Sequence, residues 1–353
     1  MNLDSGRGNR GPASAFIAAP VELGGLLLAN RLVSAPMAGV SDRAFRRLVR
    51  ESGAALAFPE MVSDKALLFG NEKTQAMARS YPGEDPFVLQ LLGREPDTLA
   101  AAARLVVERF GARMVDVNMG CPAPKVVRNG EGAALLRDPS LCAAIIERVS
   151  RVVPVPVSCK IRLGWEEPIA ARLVKTLAEA GAAFVTVHAR LKTDSYSTPA
   201  DWSALAEVVA SSPIPVVGNG DVLRPGDASR LLLETGCQAV MVGRGCLGNP
   251  WLFERALRLA RTGDPGPPPG PSEVVETALR HLALTAADKG EPRAVLEMRK
   301  HGAWYLRGLP GASAVRASLM RARTVAEVTA LLRGYLEILP RESGLGGGRF
   351  RRD

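Results

Sequence analysis

The sequence predicts an α/β fold: a (β/α)8 TIM barrel followed by a small all-helical C-terminal domain. Three observations predict it. From Leu32 onward, short apolar runs alternate with longer amphipathic ones, the order that builds a parallel sheet covered by helices. Eight such β units, each followed by a helical pattern, fit within about 230 residues, which suits a closed barrel. Run after run also ends in a chemically useful group: Pro36-Met37, Glu60, Gln90, Asn118, Lys160 with Arg162, His188, Asn219 to Asp221, and Gly243-Arg244. An open doubly wound sheet is the competing arrangement. The barrel is preferred because it gathers functional groups at the C-terminal ends of all its strands.

Taken in order, residues 1–19 are rich in Gly, Ser and Arg and are expected to be disordered. The candidate strands are Leu32–Ala35, Ala55–Pro59, Phe87–Leu92, Met114–Asn118, Val155–Arg162, Phe184–His188, Pro215–Gly218 and Ala239–Val242. Most are apolar without alternation, as strands covered on both faces are. Helical patterns lie between them, for example Pro96–Phe110 and Ala170–Ala180, the second closed by Gly181 as a C-cap. The barrel is expected over residues 20–261. Residues 262–271 hold five prolines and three glycines and read as a stiff linker. Residues 272–340 carry apolar pairs at helical spacing, such as Val295/Met298 and Leu332/Leu336, and should form the helical domain. The Gly/Arg-rich tail, 341–353, is expected to be disordered.

Composition is that of a globular protein, 47% hydrophobic and 23% charged. Five cysteines without regular spacing argue for reduced thiols in a cytoplasmic setting rather than a disulfide framework. No apolar run approaches the ~18–20 residues of a membrane helix, and Pro20 and Glu22 interrupt any would-be signal peptide. The net charge is +9. Residues 271–353 hold fourteen Lys/Arg against nine Asp/Glu, so over half the excess lies in the last quarter. That pattern suits either a solvated basic face or a polyanionic partner such as RNA. Composition does not choose between them.

The most informative stretch runs from Met114 to Pro122: an apolar strand, a Gly turn, and Cys121 exposed at the stop. A cysteine there could be a nucleophile, an acid, a metal ligand or a bystander. No second Cys or His follows at zinc spacing, so no metal site is expected. Gly243-Arg-Gly245-Cys-Leu-Gly248 matches G-x-G-x-x-G, but it stands late in the chain and the proline linker follows it. A dinucleotide fold needs that motif in its first βαβ unit, with an acidic residue ~20 further on. In a barrel, the loops after the last two strands form a phosphate site instead, and Asn219-Gly220-Asp221 and Gly243-Arg244 are those loops. Lys160 and Arg162 occupy alternate positions of one strand and so share a face. His188 sits at a strand end, and Gln90, inside an apolar run, is an amide that must find a partner if buried. A phosphate site, an amide, cations and a His around one barrel mouth suit flavin mononucleotide, with Gln90 and Lys160 meeting the isoalloxazine edge. Lys160 would stabilise negative charge that grows on the reduced ring.

Seven segments then carry a resemblance: Ala35 to Phe45, Val88 to Gln90, Asp116 to Val126, Lys160 to Trp165, Val217 to Asp221, Met241 to Arg244, and Arg299 to Tyr305. In these the chain resembles the tRNA-dihydrouridine synthase family, most closely its bacterial B-type subfamily, from about Leu32 to Ile338. The Asn-Met-Gly-Cys-Pro and Lys-His-x-x-Trp-Tyr elements are the most specific. The resemblance implies that Pro36, Met37 and Ala38 line the FMN face, that Gln90 and Lys160 contact its ring, and that His188, Asn219, Gly220, Asp221, Gly243 and Arg244 hold its phosphate end. It implies Cys121 as proton donor, Asn118 and Arg162 as ligands of the target uracil, and Lys300, His301 and Tyr305 as part of a tRNA-gripping helical domain. One region departs from the family: His188-Ala-Arg-Leu191-Lys192 stands where His-x-Arg-Thr is usual, and the loop through Ser197 and Pro199 lacks the usual Gly.

The implied reaction is reduction of the uracil C5–C6 double bond of specific D-loop uridines in folded tRNA. NADPH or NADH would be the electron donor, Cys121 would protonate C5, and no obligate protein partner is implied. Two alternatives stand beside it. A flavin barrel acting on a free pyrimidine, similar to a dihydroorotate dehydrogenase, would have no use for the basic helical domain. A non-catalytic tRNA-binding protein would not need Cys121, Lys160 and the phosphate loops.

Overall fold

The structure, a computed structural model, describes residues 13–339. The strands are β1 (Val21–Leu23), β2 (Leu26–Leu28), β3 (Leu32–Ser34), β4 (Leu56–Ala57), β5 (Val62–Ser63), β6 (Val88–Leu92), β7 (Met114–Met119), β8 (Val157–Gly164), β9 (Phe184–Leu191), β10 (Val216–Asn219) and β11 (Ala239–Val242). The helices are α1 (Arg43–Glu51), α2 (Asp64–Leu68), α3 (Glu72–Met77), α4 (Pro96–Phe110), α5 (Pro124–Arg128), α6 (Pro139–Ser150), α7 (Ala170–Glu179), α8 (Trp202–Ser211), α9 (Pro225–Thr235) and α10 (Leu252–Thr262), then α11 (Pro271–Lys289), α12 (Glu291–Tyr305), α13 (Ala312–Leu319) and α14 (Val325–Ile338).

Strands β3 to β11 form one sheet in the order β4-β3-β11-β10-β9-β8-β7-β6-β5, and every pairing in it is parallel. Its two ends, β4 and β5, are consecutive pieces of one segment, so the sheet closes into a ring. This is the TIM-type barrel that the alternating apolar runs predict. The second strand of the barrel is broken between β4 and β5 because Pro59 cannot donate to the ladder. Strands β8 and β9 run past the expected ends at Arg162 and His188, to Gly164 and Leu191.

Side-chain alternation sorts the interior from the shell. Val115, Val117, Val185 and Val187 face the helices, while Val33, Leu56, Val88, Met114, Phe184, Val217 and Met241 close the lower interior. Beneath them the β1–β2 hairpin plugs the barrel, with Val21, Leu23, Leu26 and Leu28 packed against that layer. Its turn uses Gly24 and Gly25, both at positive φ, the conformation a two-residue hairpin loop demands.

One expectation about the start of the chain, disorder over residues 1–19, needs adjusting. Residues 13–18 form a 3-10 helix with Ile17 buried, so the ordered chain begins before residue 20. Residues 1–12 and the tail from 341 lie outside the described residues. Helix α10 ends at Thr262 with Gly263 as a left-handed cap, residues 263–270 cross over, and Pro271 opens α11 at its first turn. Helices α11 to α14 surround a core of their own, containing Val274, Leu282, Met298, Leu319 and Leu332. That core also takes in Trp251 at the start of α10. The docking is close: a Cβ on Gly248 would come within 2.3 Å of the Trp304 backbone. Among the described residues, no helix is long and apolar enough to cross a membrane.

Candidate active site

The same alternation brings the sequence-predicted residues together. At the C-terminal end of the barrel, Asn118, Lys160, His188 and Asn219 point inward from β7, β8, β9 and β10. The register sets Asn118 beside Lys160, and His188 beside both Arg162 and Asn219. They open onto a cavity of about 550 Å³ lined also by Pro36, Met37, Ala38, Cys121, Arg162, Gly220, Asp221, Gly243 and Arg244. A volume of that order accommodates a cofactor-sized ligand.

Cys121 lies on the loop between β7 and α5, and Asn118 builds that loop. Asn118 Oδ1 accepts from the backbone N–H of Cys121 at 3.0 Å and of Gly120 at 3.2 Å. Arg162 ties the loop from the other side, its Nε donating to the Gly120 carbonyl at 3.0 Å and its Nη1 to the Leu191 carbonyl at 2.6 Å. Burial pushes the Cys121 thiol pKa up, against the pull of the Ala123 N–H and of Arg162 and Lys160. The group is therefore a thiol, not a thiolate, at neutral pH. Cys121 is half-buried, whereas Cys142, Cys159, Cys237 and Cys246 are fully buried.

Lys160 donates to Asn219 Oδ1 at 3.1 Å, and Asn219 in turn donates to the Met241 carbonyl at 2.8 Å. Burial, then the nearby Arg162, lowers the Lys160 pKa to about 8, while Asp116 works the other way. Asp221 is the one non-glycine at positive φ among the described residues. In that pose its carboxylate receives Arg190 Nη2 at 2.6 Å and Arg244 Nη2 at 2.8 Å. Burial alone would raise its pKa, but Arg190 and the Ala200 N–H bring it below the usual carboxylate value. Gly220 allows this close approach, since a Cβ there would meet Ala200 at 2.8 Å. His188 is held well below its ordinary pKa by burial and by Lys160, Arg162, Arg190 and Arg244 around it. It is neutral at neutral pH.

Four expected residues sit elsewhere than anticipated. Gln90 is fully buried beneath the cavity rather than on its wall. Its amide is already engaged, donating to Asp116 at 2.7 Å and accepting from Asn118 at 2.8 Å. Lys300 reaches the Gly39 carbonyl, so it fastens α12 to the loop after β3. His301 and Tyr305 are 3% and 2% exposed and belong to the packing between barrel and helical domain. His301 lies 4.3 Å from the His281 ring, and His281 Nδ1 lies 3.2 Å from the Tyr305 hydroxyl. A direct grip of His301 and Tyr305 on tRNA is thereby corrected: the α12 face that bears them turns toward Phe45 and Trp251.

Sequence reasoning missed Arg190, Tyr196 and Asp116. Arg190 stands two residues beyond His188, the same alternation that pairs Lys160 with Arg162, but the strand expected from the sequence stops at His188 and the observed one runs to Leu191. Asp116 carried a readable signal, a charged residue two before Asn118 inside an apolar strand. Tyr196, with the Arg244 guanidinium 4.5 Å from its ring centre, comes from a loop without periodicity. Outside the cavity, Arg137 and Lys192 lie 3.6 and 4.4 Å from the ring centre of Trp165. Neither forms an ion pair among the described residues.

Comparison with known proteins adds a family. A profile described as "Dihydrouridine synthase (Dus)" matches residues 33–339. The chain is 39% identical over 324 residues to the tRNA-dihydrouridine synthase B of Xanthomonas axonopodis pv. citri, covering 90% of this chain and 96% of that one. It is 40% identical over 304 residues to tRNA-dihydrouridine synthase B of Pseudomonas aeruginosa, covering 85% and 91%. It is 39% identical over 354 residues to a probable tRNA-dihydrouridine synthase of Mycobacterium tuberculosis, covering 96% and 90%. Among solved structures, the old yellow enzyme from Trypanosoma cruzi superposes with a TM-score of 0.56 at 13% identity, covering 74% of this chain and 96% of that one. This last likeness concerns the barrel fold alone.

Proposed function

The chain belongs to the dihydrouridine synthase family, oxidoreductases acting on tRNA, and we propose that it reduces D-loop uridines with FMN bound in the barrel mouth and NADPH or NADH as electron donor. The observation that carries this reading is the opening of Cys121, Lys160 and the two Gly loops onto a single cavity.

The residues at the mouth fit an anionic, flat cofactor. Arg190 and Arg244 take up the charge of Asp221, while Lys160 and Arg162 form no ion pair among the described residues and line the wall as cations. Gly220 and Gly243 line the cavity without a side chain where a phosphate would rest, near Arg244 and neutral His188. Pro36, Met37 and Ala38 supply an apolar wall for a ring face. When bound, FMN would supply the hydride for uracil C6.

The rest falls to the chain's own groups. Cys121, kept protonated by burial, donates its proton to C5. Arg162, with two of its five donors fixed on backbone carbonyls, offers its remaining N–H groups to a uracil carbonyl. Asn118, committed at both ends of its amide, serves by holding the Cys121 loop. Lys160 faces negative charge that develops on a ring bound beside it. Gln90 supports the site from beneath.

The tRNA would lie across the C-terminal face of the barrel, where Arg137 and Lys192 flank Trp165 and α5 adds Lys125 and Arg128. The helical domain contributes by fixing Lys300 on the Gly39 loop. Purified protein supplied with FMN, NADPH and unmodified tRNA should add two hydrogens to specific D-loop uridines, read by mass spectrometry of the digested RNA. Reduction of free uridine or orotate in place of tRNA would refute the reading.

A further inference from the structure

The side-chain layer beneath the cavity contains a carboxylate, Asp116, to which the reaction just described gives no part. We propose that Asp116 is a positioning residue for Cys121: it fixes which way the amides of Gln90 and Asn118 face, and through them the loop that carries the thiol. The proposal rests on the reading of Cys121 as the proton donor.

The chain of contacts has one direction. Asp116 accepts from Ser158 Oγ at 2.6 Å on one oxygen and from Gln90 Nε2 at 2.7 Å on the other. An ionised carboxylate offers acceptors only, so Gln90 must turn its NH2 end toward it. That leaves Gln90 Oε1 to accept Asn118 Nδ2 at 2.8 Å. With its NH2 end committed, Asn118 must present Oδ1 to the loop, where it receives the N–H groups of Gly120 and Cys121. Reversing either amide would set donor against donor.

At Gln90 and Asp116 solvent cannot repair such a reversal. Gln90, Asp116 and Asn118 are 0%, 1% and 7% exposed, and a buried polar group left unpaired is costly. The row follows from the sheet: Gln90 stands opposite Asp116, and Asp116 opposite Ser158, in the parallel register of β6, β7 and β8. From β8, Lys160 is the charged group that faces Asp116, and Cys159 is the other titratable neighbour. Burial raises the Asp116 pKa to about 6, against Ser158, Gln90 and Lys160. The carboxylate is thus ionised at neutral pH, and protonation would supply an O–H donor that releases the constraint.

The test uses Asp116→Asn, Asp116→Leu and Gln90→Leu in the full chain. Asparagine can still accept from Gln90 while donating to Ser158, so it preserves the direction without the charge. The first readout is alkylation of Cys121 by iodoacetamide in protein free of cofactor, feasible because the other four cysteines are buried. The second is the division of tRNA kinetics between kcat and KM, beside flavin content.

Both leucine variants should change the alkylation rate several-fold and cut kcat by about 10- to 100-fold, the scale of a misplaced reacting group. KM for tRNA and flavin content should hold. Asp116→Asn should match the parent in both readouts and lose the parent's decline in kcat below about pH 6. If Asp116→Leu fails to fold, Gln90→Leu carries the test alone. Leucine variants with parental alkylation and kcat overturn the proposal. So does an asparagine variant as impaired as the leucine one, because that result would make charge balance with Lys160 the role of Asp116. Should Cys121→Ala retain full tRNA reduction, the proton-donor reading fails instead, and the alkylation shift still reports on the loop.

Discussion

Lys160 and Cys121 owe their chemistry to burial acting in opposite senses. Burial disfavours charge, so it lowers the lysine to about 8 and raises the thiol. Lys160 stays largely protonated at neutral pH, and an anionic ring beside it would raise its pKa again. Replacing Lys160 with Met should reduce both flavin occupancy and tRNA reduction, by about 10-fold or more in activity. The absorbance of the purified protein and its flavin reduction potential are the checks, and a variant with parental values for both would make Lys160 structural. At this scale the sequence was readable wherever a polar residue interrupted an apolar strand, as Gln90, Asn118 and Lys160 do. What it withheld was depth: nothing in the letters tells that Gln90 lies one layer below the cavity while Asn219 lies on its wall. His301 and Tyr305 misled for a related reason. A motif names residues that matter without saying whether they touch substrate or hold two domains together.

Among the elements, α12 explains that role. It carries Lys300 to the Gly39 carbonyl and sets His301 against His281 of α11. Lys289 adds a bridge to Asp42 at 2.5 Å and to Glu297 at 2.7 Å. Burial lowers the His281 pKa to about 4, with Asp42 and Glu297 opposing and Lys289 and Lys300 assisting, and it lowers His301 well below its ordinary value. Both imidazoles are then neutral when folded and titrate near 6.5 when unfolded. The unfolded chain binds the extra protons, so stability is full above about pH 6.5 and declines as pH falls toward 4. The melting temperature should follow that slope, by up to roughly 1.4 kcal/mol per pH unit for each imidazole. A His281→Gln, His301→Gln double variant should flatten it, and an unchanged slope in that variant would place the acid sensitivity elsewhere. The elements themselves were mostly legible because strands covered on both faces are continuous apolar runs. The β1–β2 hairpin was overlooked although Gly24-Gly25 between apolar triplets is a recognisable turn. The break between β4 and β5 was not legible, because Met61 to Ser63 is too short to carry a period.

At the scale of the whole molecule, a +9 chain meets a polyanion, and the distribution of that charge matters more than its sum. The basic excess of the last quarter first suggested that the helical domain does the gripping. In the structure Arg299 donates to the Ala322 carbonyl and Lys300 to that of Gly39, so these two cations are engaged within the protein. Arg137 and Lys192, held over Trp165 at the barrel face, are better placed for phosphates. Replacing both with Ala should flatten the salt dependence of tRNA binding by roughly two units of slope, about one per lost phosphate contact. KM for tRNA should rise more than kcat falls. A filter-binding titration across salt concentrations reads the slope directly, and an unaltered slope would move the RNA path away from Trp165. Removing the helical domain after Arg261 is a poorer test, since Trp251 of the barrel is buried in that domain's core.

The proposed role of Cys121 as proton donor is tested most directly by single-turnover kinetics. Parent protein and a Cys121→Ala variant, each reduced by NADPH and then mixed with unmodified tRNA, should differ in one step only. Reduction by NADPH should proceed at the same rate in both, and reoxidation by tRNA should slow at least ~100-fold in the variant, the scale of losing a general acid. Equal reoxidation rates in parent and variant would contradict the claim.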